Sequence, residues 1–253
     1  MILDSFKLDG KVAIVTGANT GLGQGMCVAL AEAGAKVVGV ARRDCNETEE
    51  KVKAVGGEFL YIQADLSSME PVERIINETV ARFNRVDILV NNAGIIKRED
   101  ALEYSEQEWD DVVFINQKFV FFLSQAAANQ FVKQGEGGKI INIASMLSYQ
   151  GGIRVPAYTA SKSAILGLTK AMANEWASFN ININAIAPGY METNNTKAIR
   201  SDEKRNDEIL SRIPAKRWGT PQDMMGAVVF LASDAASYVN GFTLAVDGGW
   251  LAR

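Results

Sequence analysis

Histidine is absent from this chain of 253 residues, and no other feature of its composition excludes as much chemistry. Imidazole is the usual general base near neutral pH and the commonest transition-metal ligand, so both roles fall to other groups. A Ser-His-Asp hydrolytic triad is ruled out, and proton transfer must use Tyr, Lys, Asp, Glu or Cys. Cysteine is nearly as scarce. Cys27 and Cys45 are the only two, too few for a disulfide framework and without neighbours at zinc-ligand spacing. They read as one buried small apolar residue and one surface thiol, and no metal is expected. An apolar run of about 18 residues, long enough to cross a bilayer, is also missing. The opening MILDSFKLDG carries acids where a signal peptide would be basic and then apolar, so a cytoplasmic protein without a membrane partner is expected. A basic face is lacking too: the net charge is -4 with Lys and Arg dispersed, which argues against nucleic acid as a partner.

What the chain does have is alternation. Short β-branched runs, KVAIVTG (11–17), KVVGVA (36–41), EFLYIQ (58–63), VDILVN (86–91), GKIINIA (138–144), ININAIA (181–187) and FTLAVD (242–247), are separated by segments of helical period. Runs apolar at consecutive positions suit strands covered on both faces. The reading is an α/β fold: a doubly wound, Rossmann-type, mostly parallel sheet of seven strands with helices on both faces. With no linker, repeat or low-complexity tract, residues 1–253 read as a single domain. Residues 189–213 stand out as polar and charged between two well-patterned elements. They suit either a lid over a site or a solvated surface helix pair.

Gly17-Ala-Asn19-Thr20-Gly21-Leu22-Gly23 follows the first strand and opens a helix. Glycines there let the backbone turn tightly and approach a pyrophosphate, while the helix N-terminus offers free N–H groups. An ordinary tight turn is the competing reading. The second strand ends in Ala41-Arg42-Arg43, where an adenosine ribose would lie. No carboxylate stands there to repel a 2′-phosphate, so Arg42 favours NADP, though arginines at a strand end can equally be solvated. Asp65, with Leu66 beside it, follows the third strand and could either accept from an adenine amino group or N-cap a helix beginning near Ser67. Asn91-Asn92-Ala93-Gly94 closes the fourth strand with small residues that leave room for a dinucleotide, or form a plain turn.

Tyr158-Thr-Ala-Ser-Lys162 is the sharpest local signal. Residues i and i+4 of a helix share a face, so a phenol and an ammonium can point into one cleft, where a nearby positive charge favours phenolate. Ser145, just beyond the fifth strand, could hydrogen-bond a substrate oxygen beside Tyr158. Asn116 sits in an apolar helical stretch and needs partners, either a water leading to Lys162 or purely structural ones. Arg154 stands four residues before Tyr158 and could pair with a carboxylate, with Lys97 and Arg98 adding charge at the same rim. Surface or subunit contacts are the plainer reading of all three cations. Met146, Tyr149 and Met191 read as apolar walls or as core.

Together these residues resemble the short-chain dehydrogenase/reductase family, from about Phe6 to Arg253, through Thr16-Gly-x-x-x-Gly-x-Gly23, Asn91-Asn-Ala-Gly94, Asn116, Ser145, Tyr158-x-x-x-Lys162, Pro188-Gly189 and Val246-Asp-Gly-Gly249. The resemblance implies that Tyr158 is the acid-base residue, that Lys162 lowers its pKa and holds the nicotinamide ribose, that Ser145 orients the carbonyl and that Asn116 anchors a relay water. It further implies that Asp65 contacts adenine, and that Asn92, Ala93, Gly94, Pro188, Gly189 and Thr193 line the cofactor. Homotetramers are implied as well. The stretches Ile96–Glu103, Ile143–Pro156, Pro188–Thr196 and Val246–Arg253 are similar to the branch of this family that acts on deoxy-sugar acids in pectin breakdown. The implied substrate is a small sugar acid, and the implied cofactor is NAD, against the NADP favoured by Arg42. A same-fold reductase of a 3-oxoacyl thioester or another sugar, and a non-catalytic cofactor sensor, are the alternatives.

Overall fold

The computed structural model describes residues 1–252, apart from the side chain of Asn195; Arg253, the last residue of the resemblance, lies outside them. Seven strands, β1 (Val12–Thr16), β2 (Lys36–Ala41), β3 (Phe59–Gln63), β4 (Ile88–Asn91), β5 (Gly138–Ile143), β6 (Ile181–Pro188) and β7 (Thr243–Val246), form one sheet in the order β3-β2-β1-β4-β5-β6-β7. Every pairing among them is parallel, so the sheet is parallel throughout rather than mostly so.

Successive strand residues face opposite sides, and both sides are covered. Ala13, Val15, Val37, Ile88, Val90 and Ile141 pack with Met26, Leu30, Met224 and Val228, residues of helices α1 (Gly21–Glu32) and α9 (Pro221–Ala232). Val12, Ile14, Val38, Leu89 and Ile140 instead pack with Ile75, Leu123, Phe131 and Met172, from α3 (Pro71–Phe83), α5 (Phe119–Gln134) and α6 (Pro156–Trp176). The remaining helices are α2 (Asn46–Ala54), α4 (Glu106–Val113), α7 (Lys197–Ser201) and α8 (Glu203–Arg212). Strand order reverses between β1 and β4, and the connections leave those two strands in opposite directions, opening a crevice beyond their carboxyl ends.

One feature of the core differs from the expectations. Cys45 is 2 % exposed and Cys27 fully buried, because Cys45 precedes α2 and turns inward with Val52 against α1. Burial holds the Cys45 thiol up at about 11, so neither residue is a surface thiol. Residues 189–213 are largely helical: a short 3-10 turn, Asn194–Thr196, leads into α7 and α8. Ile209 and Ile213 anchor α8 on Met146, Trp218 and Trp250.

Below the crevice the sheet carries polar side chains instead of apolar ones. Asn91 Nδ2 donates to Ser124 Oγ and to Asn142 Oδ1, each at 2.9 Å, and Asn142 Nδ2 donates to Thr169 Oγ1 at 3.0 Å. All four side chains are buried. A satisfied network of this kind fixes the relative height of β4, β5, α5 and α6, because any slip would leave buried donors unpaired.

Candidate active site

The turn after β1 is shaped by its glycines and by the end of β4. Gly17 has φ of 67°, in the left-handed region that side chains avoid. A Cβ on Gly23 would run into the Gly17 carbonyl oxygen, so α1 starts closer to the turn than any larger residue allows. Thr16 Oγ1 accepts from the N–H groups of Asn92 and Ala93 at 3.0 Å each, and Asn92 Nδ2 returns a bond to the Thr16 carbonyl at 2.8 Å. On the outer side Thr48 Oγ1 donates to the Ala18 carbonyl at 2.8 Å. Thr20 is the N-cap of α1 yet its side chain caps nothing. The helix start therefore keeps its N–H groups uncapped by side chains, with the positive end of its dipole at the crevice.

A cavity of about 560 Å³ runs along this crevice, within the usual size of small-molecule sites. Gly17, Asn19, Thr20, Gly21, Leu22 and Gly23 line one end, Asn92, Ala93 and Gly94 the middle, and Ser145, Tyr158 and Lys162 the floor, with Pro188, Gly189 and Thr193 opposite. An uncapped helix start at a glycine turn, small residues in the middle and an ammonium at the far end form a donor set suited to a dinucleotide.

The floor is set by α6 and by the turn after β5. Helical spacing puts Lys162 Nζ 5.8 Å from the centroid of the Tyr158 ring, and the same Nζ donates to the Ile143 carbonyl at 2.5 Å. Lys162 is 5 % exposed, and burial pulls its ammonium down to about 8. Burial raises the Tyr158 phenol, while a hydrogen bond with Ser145 and the charge of Arg98 pull it back. The phenol thus stands above its ordinary value in the protein alone. Ser145 is 8 % exposed, and its Oγ accepts from Leu147 N–H at 3.1 Å. With an acceptor position filled by the main chain, its O–H is directed elsewhere.

Asn116 is fully buried in a π-helical turn, Phe114–Lys118, joining α4 to α5. Nδ2 donates to the Ile95 carbonyl at 2.9 Å and to Ser161 Oγ at 3.3 Å, while Oδ1 accepts from Ile95 N–H at 2.9 Å. Both of its donor hydrogens are used inside the protein, while Oδ1 keeps a second lone pair. The neighbourhood is shared with the lysine: a Cβ built on Gly94 would lie 3.1 Å from Asn116 Oδ1 and 3.7 Å from Lys162 Nζ.

Several residues expected at the site lie outside the lining of the cavity. Arg154 lies before the first turn of α6, so the i,i+4 relation to Tyr158 does not apply; its φ of 63° turns the chain away, and its guanidinium pairs with Glu99 at 3.1 Å. It is not among the residues around the cavity. Lys97 pairs with Asp111 at 2.6 Å, and Tyr149 is exposed and outside the cavity lining, whereas Met146 and Met191 do form walls. Asp65 Oδ1 accepts from Ser67 N–H at 3.0 Å without capping a helix, since α3 begins at Pro71. Leu66 is 8 % exposed and belongs to the core. Arg42, exposed at the end of β2, lies 3.9 Å from Asp65.

Besides Lys162, the cations that line the cavity are Arg98, Arg205 and Arg212. Arg205 pairs with Glu208 at 3.0 Å, and the Arg212 guanidinium lies 4.2 Å from the Trp250 ring centroid. Sequence reasoning missed the two on α8. The available signal was Arg205-x-x-x-Ile209-x-x-Arg212, a charged pair sharing a helix face with an apolar anchor.

Comparison with known proteins agrees with this geometry. A family model described as enoyl-(acyl carrier protein) reductase matches residues 17–251. The 2-dehydro-3-deoxy-D-gluconate 5-dehydrogenase of Dickeya dadantii is 64% identical over 253 residues, covering 100% of both chains. The enzyme of the same name from Escherichia coli is 63% identical with the same coverage. A crystal structure of a gluconate 5-dehydrogenase from Burkholderia cenocepacia, in complex with NADP and tartrate, superposes with a TM-score of 0.94 at 37% identity and covers 100% of each chain. Likeness of this extent, running end to end, establishes that the chain belongs to the short-chain dehydrogenase/reductase family.

Proposed function

We propose that this oxidoreductase interconverts a secondary alcohol and a ketone on a deoxy-sugar acid, as a 2-dehydro-3-deoxy-D-gluconate 5-dehydrogenase, with NAD or NADP. The observation that carries the reading is a phenol, a hydroxyl and an ammonium on the floor of one cavity whose walls also hold three guanidinium groups, Arg98, Arg205 and Arg212. The floor suits proton transfer at a carbonyl oxygen, and the guanidinium groups suit a carboxylate. The names of relatives more than 60 % identical along the whole chain support the substrate.

When bound, the nicotinamide supplies hydride to the ketone carbon or takes it from the alcohol carbon. The glycine turn and the start of α1 hold the pyrophosphate, with Asn92, Ala93, Gly94, Pro188, Gly189 and Thr193 along the rest and Asp65 and Leu66 toward adenine. Tyr158 gives its phenolic proton to the ketone oxygen in reduction and, as phenolate, takes the hydroxyl proton in oxidation. Ser145 donates to the same oxygen and holds it against the phenol. Lys162 stabilises the phenolate and holds the nicotinamide ribose. Asn116 anchors a relay water beside Lys162, and its bonds to Ile95 hold the wall there.

The protein is proposed to act in the cytoplasm as one catalytic domain, with residues 189–213 closing over substrate. No helix among the described residues is long and apolar enough to cross a membrane. A homotetramer is also proposed, supported by the exposed apolar side chains of Trp109, Phe122 and Phe242 on α4, on α5 and beside β7.

Initial rates with both cofactors test the substrate directly. Turnover is expected with 2-dehydro-3-deoxy-D-gluconate and not with a 3-oxoacyl thioester, and Arg205→Ala combined with Arg212→Ala is expected to raise KM for the sugar acid about tenfold or more. Preference for the thioester, or for no ketone at all, would reject the reading. Arg42 separates the cofactors. Arg42→Ala is expected to weaken NADP about tenfold while leaving NAD within about twofold, as measured by fluorescence titration. Equal affinity for NADP before and after the change would place that preference elsewhere.

A further inference from the structure

The turn between β5 and α6 contains a second hydroxyl that no expectation covered. Ser148 ends the 3-10 turn Met146–Ser148 that follows Ser145. Its Oγ donates to the main-chain carbonyl of Lys162 at 2.6 Å and accepts from the main-chain N–H of Ser145 at 3.2 Å. Ser145 in turn caps the same turn by accepting from Leu147 N–H at 3.1 Å. The Lys162 carbonyl lies inside α6, whose own hydrogen-bond ladder runs on to Trp176, so the bond from Ser148 joins one element to another and adds nothing to helix formation. One hydroxyl thereby ties the main chain of the residue carrying the ammonium to that of the residue carrying the oxygen-orienting hydroxyl.

We infer that Ser148 is a positioning residue for this reaction, holding Ser145 and the Tyr158–Lys162 face of α6 at a fixed separation. The inference rests on the proposed roles of Tyr158, Ser145 and Lys162. Its physical basis is the different sensitivity of folding and chemistry to small displacements. Two hydrogen bonds at a half-buried turn do not decide whether this sheet and its helices assemble. A shift of about 1 Å between reacting groups, in contrast, costs up to about 10²-fold in rate. The same shift alters how strongly Ser145 stabilises the phenolate, because that hydrogen bond is one of the influences lowering the phenol's pKa.

Ser148→Ala is expected to lower kcat about tenfold with KM and cofactor affinity within about twofold of the parent. Tyr158 in the same variant is expected to titrate at higher pH, read from near-ultraviolet phenolate absorbance as the difference between Ser148→Ala and Ser148→Ala/Tyr158→Phe. This second measurement requires neither cofactor nor turnover. Ser148→Thr, which keeps the hydroxyl, is expected to recover most of both. An unchanged kcat and phenol titration in Ser148→Ala would overturn the inference. So would a loss of activity accompanied by a lower melting temperature but an unmoved titration, since that combination marks a merely structural residue. Failure of the proposed function has a different signature: the parent protein reduces no keto acid, while Ser148→Ala still shifts the phenol titration.

Discussion

Tyr158→Phe is expected to lower kcat by about 10²–10⁴-fold, the range that one general acid-base group contributes, while cofactor affinity stays within about twofold. Phenylalanine keeps the ring and its place over Lys162 Nζ, 5.8 Å from the centroid, and removes only the oxygen that exchanges a proton with substrate. The hydrogen bond with Ser145 is lost at the same time, but Ser145 Oγ retains its bond from Leu147 N–H, so the turn after β5 keeps its shape. Stopped-flow and steady-state rates with a saturating keto acid, next to a fluorescence titration of NADH and NADPH, separate chemistry from binding. Undiminished turnover would remove Tyr158 from the mechanism. The parent enzyme carries a related expectation in its pH profile. Burial holds the phenol above its ordinary value, so reduction, which needs the neutral phenol, is expected to persist through neutral pH, and oxidation, which needs phenolate, to rise with pH.

Lys162→Met is expected to abolish useful turnover and yet stabilise the protein without cofactor. Lys162 is 5 % exposed, and its only resolved influence is burial, which lowers it from 10.5 to about 8. A lysine whose folded pKa lies below its unfolded one binds its proton less readily when folded. The charge therefore destabilises the fold in full below pH 8, and stability recovers as pH rises from about 8 towards 10.5. A shift of this size corresponds to about 3 kcal/mol. The substitution also removes the 2.5 Å bond from Nζ to the Ile143 carbonyl, which offsets about 1 kcal/mol or more of the gain. A net increase of about 1–2 kcal/mol near pH 7 is expected, measured by urea denaturation, and it should shrink as pH rises above 8. Equal or lower stability at neutral pH would show that the buried ammonium is compensated within the protein. The expected result makes Lys162 a residue kept for chemistry at the expense of stability, as active-site charges often are.

Legibility in the sequence followed the range of the interactions involved. The strands could be read because parallel strands covered on both faces are apolar at successive positions, and Val12 to Thr16 are all buried. The glycine turn and the Tyr158–Lys162 pair could be read because their geometry is local. A left-handed Gly17, a Gly23 pressed on the Gly17 carbonyl and two residues one helical turn apart depend on a few neighbouring dihedral angles. Arg154 misled because counting four residues back from Tyr158 assumes a helix that starts only at Pro156. Asp65 was half legible: its carboxylate does accept a main-chain N–H, but from a turn and not from a helix start.

The sequence by itself determined the layering, the crevice at the strand ends and the residues on its floor, because each follows from periodicity or from spacing within one element. Tertiary structure alone decided which cations reach the cavity, how Asn116 is satisfied and that Ser148 joins two elements. Those outcomes depend on contacts between segments far apart in the chain. Arg212 reaches the cavity because Ile209 and Ile213 seat α8 on Trp250 and Met146, and the Asn116 amide bonds to Ile95 and Ser161. No window of neighbouring residues contains both partners of such a contact, so the packing of the whole chain had to form before these roles were fixed.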